Sequence, residues 1–180
     1  MSTDFKEQTV TKKGDVGEDI VDNLLHSKGI HTYKPSFDGP HPIDRLCFEN
    51  IDNGYKLYAL DVKTKELRLK YPDTGYPISN YEVYCEINKT TPVLILFIDK
   101  TKREIYGNYL SELNKKVTVN DWNYPDTKNK DNIIYFPYCS MKVYANLTDV
   151  DIKEIEKYNI LKEQEAARKN LDAFEGLGLE

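Results

Sequence analysis

The sequence predicts an α/β protein with a mixed central sheet flanked by helices, in the order αβββαβ, followed by a C-terminal helix. Three observations carry this. GDVGEDIVDNLLHSKGI places Val16, Ile20, Val21, Leu24 and Leu25 at helical spacing, several short strand-like runs follow it, and Val93 to Ile98 reads VLILFI, unbroken apolar sequence behind a proline. A strand with one wet face alternates, whereas an unbroken apolar strand needs cover on both faces. A length of 180 residues fits one domain with a small appendage.

Residues 1–13 are polar and aperiodic and are expected to form a flexible arm. The first helix is expected from Val16 to Lys28, with Gly29 where a C-terminal cap belongs. Strands are expected at Ile30 to Lys34, Ile43 to Phe48 and Tyr55 to Leu67, the last two joined through Asp52-Asn53-Gly54, which makes an antiparallel meander. KYPDTGYP (70–77) reads as a loop, and Ile78 to Asn88 as the second helix. The VLILFI strand is expected to be central, with Arg103 to Tyr106 as its hairpin partner. A short helix or turn at Tyr109 to Leu113 and small strands at 116–120 and 133–138 complete one domain over 14–147, whose core is 14–113. Thr148 is a good N-cap for a helix running to Gly176, within a C-terminal segment 148–180. Its stripe of Ile160, Ala167, Leu171 and Phe174, interrupted by Gln164, suits packing on its own domain or an interface in a homodimer.

Composition narrows the function classes. No apolar run has the length of a membrane span, and MSTDFKEQTVTKK is not a secretory leader, so a cytoplasmic protein is expected. Cys47, Cys85 and Cys139 are widely spaced and odd in number, which argues against a disulfide frame or a zinc site. There is no GxSxG and no GxxxxGK[ST]. A net charge of −5 is unfavourable for a nucleic-acid partner, but the acidic excess lies towards the two ends. Between them Lys63, Lys65, Arg68 and Lys70 face a single acid, Glu66, so a local positive patch is compatible with an acidic chain.

The informative stretch is HPIDRLCFENIDNGYKLYALDVKTK. Alternation along Tyr55 to Leu67 puts Tyr58, Leu60 and Val62 on one face, towards the core, and Asp61, Lys63 and Lys65 on the other, away from it. On the preceding strand Asp44 shares a face with Leu46 and Phe48, where a carboxylate needs a hydrogen-bond partner or a cation. Pairing of these strands brings Asp44 and Asp61 close enough to share a divalent ion, and hard oxygen ligands suit Mg²⁺. A lysine one pleat from the carboxylate can orient the attacking water or neutralise charge on a phosphorane.

This order, a helix with GxxxE ending on Glu18, a strand with Pro42-Ile43-Asp44, a strand with Asp61-Val62-Lys63, a helix and a buried strand, resembles the PD-(D/E)XK nuclease superfamily. The likeness is to its small members similar to Holliday junction resolvases and restriction endonucleases, with one residue inserted in the PD half, and it spans about residues 14 to 113. The resemblance implies a restriction-endonuclease-like fold and a Mg²⁺-dependent DNA endonuclease, with Mn²⁺ substituting. It implies Asp44, Asp61 and the Val62 carbonyl as metal ligands, Glu18 as auxiliary ligand or base, and Lys63 positioning the water. In-line hydrolysis would leave a 5′-phosphate, and members that cut both strands usually dimerise. Many members carry Gln, often followed by Tyr, on the helix after the motif strand, whereas this chain offers Asn80 and several tyrosines. That departure, with the acidic charge, keeps open an alternative: a non-catalytic nuclease-fold protein acting as a protein- or DNA-binding regulator or inhibitor. Convergence of Glu18, Asp44 and Asp61 within metal-bridging distance would separate the two.

Overall fold

The computed structural model describes residues 9–36, 41–65, 71–120 and 132–157. Helix α1 (Thr9–Ser27) opens the fold, followed by β1 (Ile30–Tyr33), β2 (Arg45–Ile51), β3 (Gly54–Lys65) and β4 (Asp73–Pro77). Then come α2 (Ile78–Asn88), β5 (Val93–Asp99), β6 (Glu104–Tyr109), α3 (Leu110–Leu113), β7 (Thr118–Asn120), β8 (Ile133–Pro137) and β9 (Lys142–Asn146). A last helix, α4, is described over 149–157.

Six strands form the main sheet in the order β1-β2-β3-β5-β6-β9, and β4, β8 and β7 form a small second sheet. The β1-β2-β3 meander is antiparallel, β5 lies parallel to β3, and β6 returns antiparallel to β5. The expected mixed α/β core is therefore present, with β3 and β5 at its centre.

The two faces of β5 explain its unbroken apolar sequence. Leu94, Leu96 and Ile98 face a core built with Val21 and Leu25 of α1, Leu60 and Val62 of β3, and Ile155 of α4. Val93, Ile95 and Phe97 face a second core, which holds Tyr84 of α2, Leu110 and Leu113 of α3, and Tyr76, Ile134 and Phe136 of the small sheet. Every residue of β5 is buried. A two-sided strand has no solvent face on which to place polar residues.

Local signals were accurate at the helix ends. Gly29 follows α1 at φ +74, a left-handed conformation that favours glycine, and its N–H donates to the His26 carbonyl at 2.9 Å. Thr148 caps α4: its N–H and hydroxyl both donate to Asp151 Oδ2, at 2.8 and 2.6 Å, and the Asp151 N–H donates back to Thr148 Oγ1 at 3.2 Å. The remainder of the expected C-terminal helix, with Ile160, Gln164, Ala167, Leu171 and Phe174, lies outside the described residues, as do residues 1–8.

Four expectations are corrected. The first helix begins at Thr9 and takes in residues 9–13, which had been read as part of an arm. Strand β2 begins at Arg45, so Asp44 precedes the strand that was expected to carry it. The supposed loop 70–77 contains strand β4, and β9 occupies sequence with no expected strand. Asp61 and Lys63 do not face open solvent, because α2 and the small sheet cover that side of β3. Among the described residues no helix is long and apolar enough to cross a membrane.

Candidate active site

Strand β3 carries the Asp61-Val62-Lys63 motif through the middle of the sheet. Asp61 pairs in register with Ile95 of β5 and is only 2% exposed. Its Oδ1 accepts two hydrogen bonds, from the Lys63 ammonium at 2.9 Å and from the Tyr84 hydroxyl at 2.6 Å. Its Oδ2 is buried and has no hydrogen-bond partner. Burial raises the Asp61 pKa above the ordinary carboxylate range, opposed by Lys63 and by the Tyr84 hydrogen bond. The Lys63 side chain is 22% exposed, so its ammonium sits at the boundary between this buried carboxylate and water.

Asp44 arrives from the chain just ahead of β2. Its N–H donates to the Leu60 carbonyl at 3.0 Å, and its Oδ2 accepts the Val62 N–H at 2.6 Å. In extended backbone a residue's N–H and C=O point to the same side, so the Val62 carbonyl is also turned towards Asp44, where β2 no longer runs alongside. Asp44 is pushed up to about 7, first by burial, then by the charges of Asp61 and Glu18; Lys63 and the Val62 N–H pull the other way.

Glu18 is placed differently from the sequence expectation. Arg45 pairs in register with Leu60 and shares with it the face that α1 covers. There the Arg45 guanidinium, 2% exposed, donates to Glu18 Oε2 at 2.7 Å and to Asp22 Oδ2 at 2.7 Å. Lys34 lies 3.3 Å from the same Glu18 oxygen. The carboxylate of Glu18 is thus committed to two cations on the α1 side of the sheet. Among the described residues no three His, Cys, Asp or Glu side chains gather closely enough to hold a metal ion, so the convergence of Glu18 with Asp44 and Asp61 that would separate the two readings is not met, and the case for a metal rests on Asp44, Asp61 and the Val62 carbonyl alone. Glu18 acts on Asp44 and Asp61 through its charge, raising both.

Two residues of this neighbourhood escaped the sequence reading. Arg45 is adjacent to Asp44 and is the cation that closes the α1 face, and its burial depends on Glu18 and Asp22 arriving from a helix. Tyr84, one of the tyrosines noted on this helix but given no task at Asp61, is the α2 residue that reaches it, one helical turn beyond Asn80. Lys65, next along the lysine face of β3, is held below the usual lysine range by burial and by its neighbour Lys63. Residues 66–70, with Arg68 and Lys70 of the expected positive patch, lie outside the described residues.

The donor set suits a hard divalent cation. Asp61 offers a buried oxygen without a partner, and Asp44 is half-buried beside it with one oxygen engaged by a backbone N–H. The two carboxylates raise each other's energy when both are ionised, which a cation between them would relieve.

No family model matches this chain, and no curated protein matches it. Among solved structures it is similar to Hjc of Archaeoglobus fulgidus, a Holliday junction resolvase from an archaeal hyperthermophile. The likeness has 12% identity, covers 71% of this chain and 90% of that one, and has a TM-score of 0.45. It is also similar to a nuclease from a fusselovirus, with 12% identity, 79% of this chain and 88% of that one covered, and a TM-score of 0.44.

Proposed function

We propose that this protein is a metal-dependent endonuclease that hydrolyses phosphodiester bonds in DNA. The observation that carries the reading is the pairing of Asp44 and Asp61 across the Val62 N–H, with Lys63 bonded to Asp61 and one Asp61 oxygen left without a partner. A buried carboxylate oxygen without a partner is costly to a fold, and acids perturbed by burial and by each other cluster at functional sites. Asp44, Asp61 and the Val62 carbonyl would hold Mg²⁺, or Mn²⁺ in its place. Bound there, the ion would polarise the phosphodiester and lower the pKa of a water.

The chain's own residues then have separable tasks. Asp44 and Asp61 fix the reacting centre against the rigid β3 backbone. Lys63 faces the phosphate from the solvent boundary, where its ammonium offsets negative charge that grows as water attacks phosphorus. The bond broken is P–O3′, which leaves a 5′-phosphate and a 3′-hydroxyl. Arg45, by neutralising Glu18 and Asp22, keeps the acidic side of α1 from adding further repulsion to a polyanion.

The test is a panel of branched, nicked and linear DNA with Mg²⁺ or Mn²⁺, comparing wild type with Asp61→Asn. Cleavage that needs the metal and disappears in Asp61→Asn supports the reading. DNA bound but never cut, with equal binding by both proteins, would move the assignment to the non-catalytic regulator.

A further inference from the structure

Tyr84 makes a close contact to the site, and nothing in the metal reading assigns it a role. It is 2% exposed on α2, and its hydroxyl donates to Asp61 Oδ1 at 2.6 Å. Its ring is set edge-on against Tyr76 of β4, with centroids 5.4 Å apart. Tyr76 in turn packs on Phe97 of β5 and Phe136 of β8. A hydroxyl on a ring locked in this way points in one direction, which is what a residue needs in order to fix another side chain rather than follow it. A phenol keeps its proton at neutral pH, so the hydroxyl is the donor in this bond.

Asp61 Oδ1 has two donors and Oδ2 has none. If Lys63 were the sole partner of Oδ1, its departure towards a phosphate would leave a buried carboxylate wholly unsatisfied, and the side chain would be free to rotate. The Tyr84 bond removes that difficulty. We propose that Tyr84 is a positioning residue for Asp61: it holds Oδ1 so that Oδ2 stays presented to a divalent cation, and it keeps Oδ1 bonded while Lys63 turns to the substrate. This rests on the reading of Asp44 and Asp61 as a metal site. The small sheet thereby gains a task, since β4 and β8 supply the rings that lock Tyr84.

The experiment is calorimetric titration of Mn²⁺ into the DNA-free protein, for wild type, Tyr84→Phe, Tyr76→Phe and Asp61→Asn, with urea denaturation of each. Tyr84→Phe keeps the ring and its packing and removes only the donor. Its Mn²⁺ affinity is expected to fall about tenfold, the lower end of what loss of a ligand's supporting hydrogen bond costs. Tyr76→Phe removes a hydroxyl from the same aromatic cluster without touching Asp61, and its affinity is expected to match wild type. In cleavage assays Tyr84→Phe should lower kcat and leave the KM for DNA unchanged. Equal Mn²⁺ affinity in Tyr84→Phe and wild type overturns the positioning role and leaves the metal site standing. Equal weakening in Tyr84→Phe and Tyr76→Phe also overturns it, because the cause is then loosened packing. Wild type that is folded but takes up no Mn²⁺ removes the site reading and this inference with it.

Discussion

The Val62 N–H donates to Asp44 Oδ2 at 2.6 Å, which ties a residue outside the sheet to the middle of the motif strand. The bond is between neighbours that differ in kind: Val62 is a core residue whose side chain faces α1, and Asp44 is an acid whose carboxyl is pushed up to about 7. A carboxyl raised in the folded state binds a proton there that the unfolded chain has already released. The contribution of Asp44 to stability without metal is therefore fully present below the unfolded value near 3.8 and is lost as pH rises to about 7. Asp61, also raised, adds a contribution of the same sign. Urea denaturation of metal-free protein at pH 5 and pH 8 should show lower stability at pH 8. Asp44→Asn should flatten that difference and be the more stable protein at pH 8.

Lys63→Met should lose cleavage by at least about two orders of magnitude, the scale on which one preorganised electrostatic contact to a transition state acts. DNA affinity should fall only by the share of one phosphate contact. Single-turnover cleavage and filter binding read the two quantities separately. Cleavage at the wild-type rate would mean that β3 is not the catalytic strand.

Arg45 is the larger stability determinant. Replacing it by Met keeps much of the buried stem and leaves Glu18 and Asp22 without their shared cation. Breaking a buried ion pair from one side costs about 3 to 5 kcal/mol. Denaturant midpoints should drop accordingly in Arg45→Met. Arg45→Met/Asp22→Asn should recover part of the loss, since one of the stranded charges is then gone.

Gly17 sits where α1 packs on Thr64 of β3. A Cβ there would lie 2.3 Å from Thr64 Oγ1 and 3.1 Å from Ile98 Cδ1. Alanine is the better helix former by about 1 kcal/mol, but overpacking of this kind costs about 1 to 3 kcal/mol. Gly17→Ala should therefore lower the melting temperature. Thr64 Oγ1 is buried without a hydrogen-bond partner, so Thr64→Ala removes the obstacle at little cost. The double variant Gly17→Ala/Thr64→Ala should melt above the single one.

Legibility in the sequence followed the range over which each determinant acts. VLILFI announced a two-sided strand because every one of its residues is apolar, and Gly29 and Thr148 marked helix ends because caps are written within four residues. The site was legible as a strand pair, with Asp61 and Lys63 at alternate positions and Asp44 beside them. What alternation cannot show is what lies above a face. Asp61 and Lys63 read as solvent-facing because the cover comes from Tyr84 and Tyr76, on elements with no local link to β3. Strand β4 was hidden for a related reason: Asp73, Gly75 and Pro77 are turn formers, and pairing with β8 overrides that preference. Glu18 was expected beside Asp44 and Asp61 only through the resemblance; Arg45, read only as the neighbour of Asp44, holds it on the α1 side of the sheet.

The parallel pairing of β3 with β5 governs the order in which this protein can assemble. Strands β2 and β3 of the meander close through the tight turn Asp52-Asn53 and need little loop entropy. Strand β5 and Tyr84 come later, since β4 and α2 are threaded between the two parallel strands, and contacts of long sequence separation form slowly. The cover over Asp61 comes from Tyr84 of α2 and from the pairing with Ile95 of β5, so the docking of these two elements takes its carboxylate out of water and is opposed by the charge it encloses. At alkaline pH and without a cation, amide exchange is therefore expected to lose its protection in α2, which carries Tyr84, before it does in the meander.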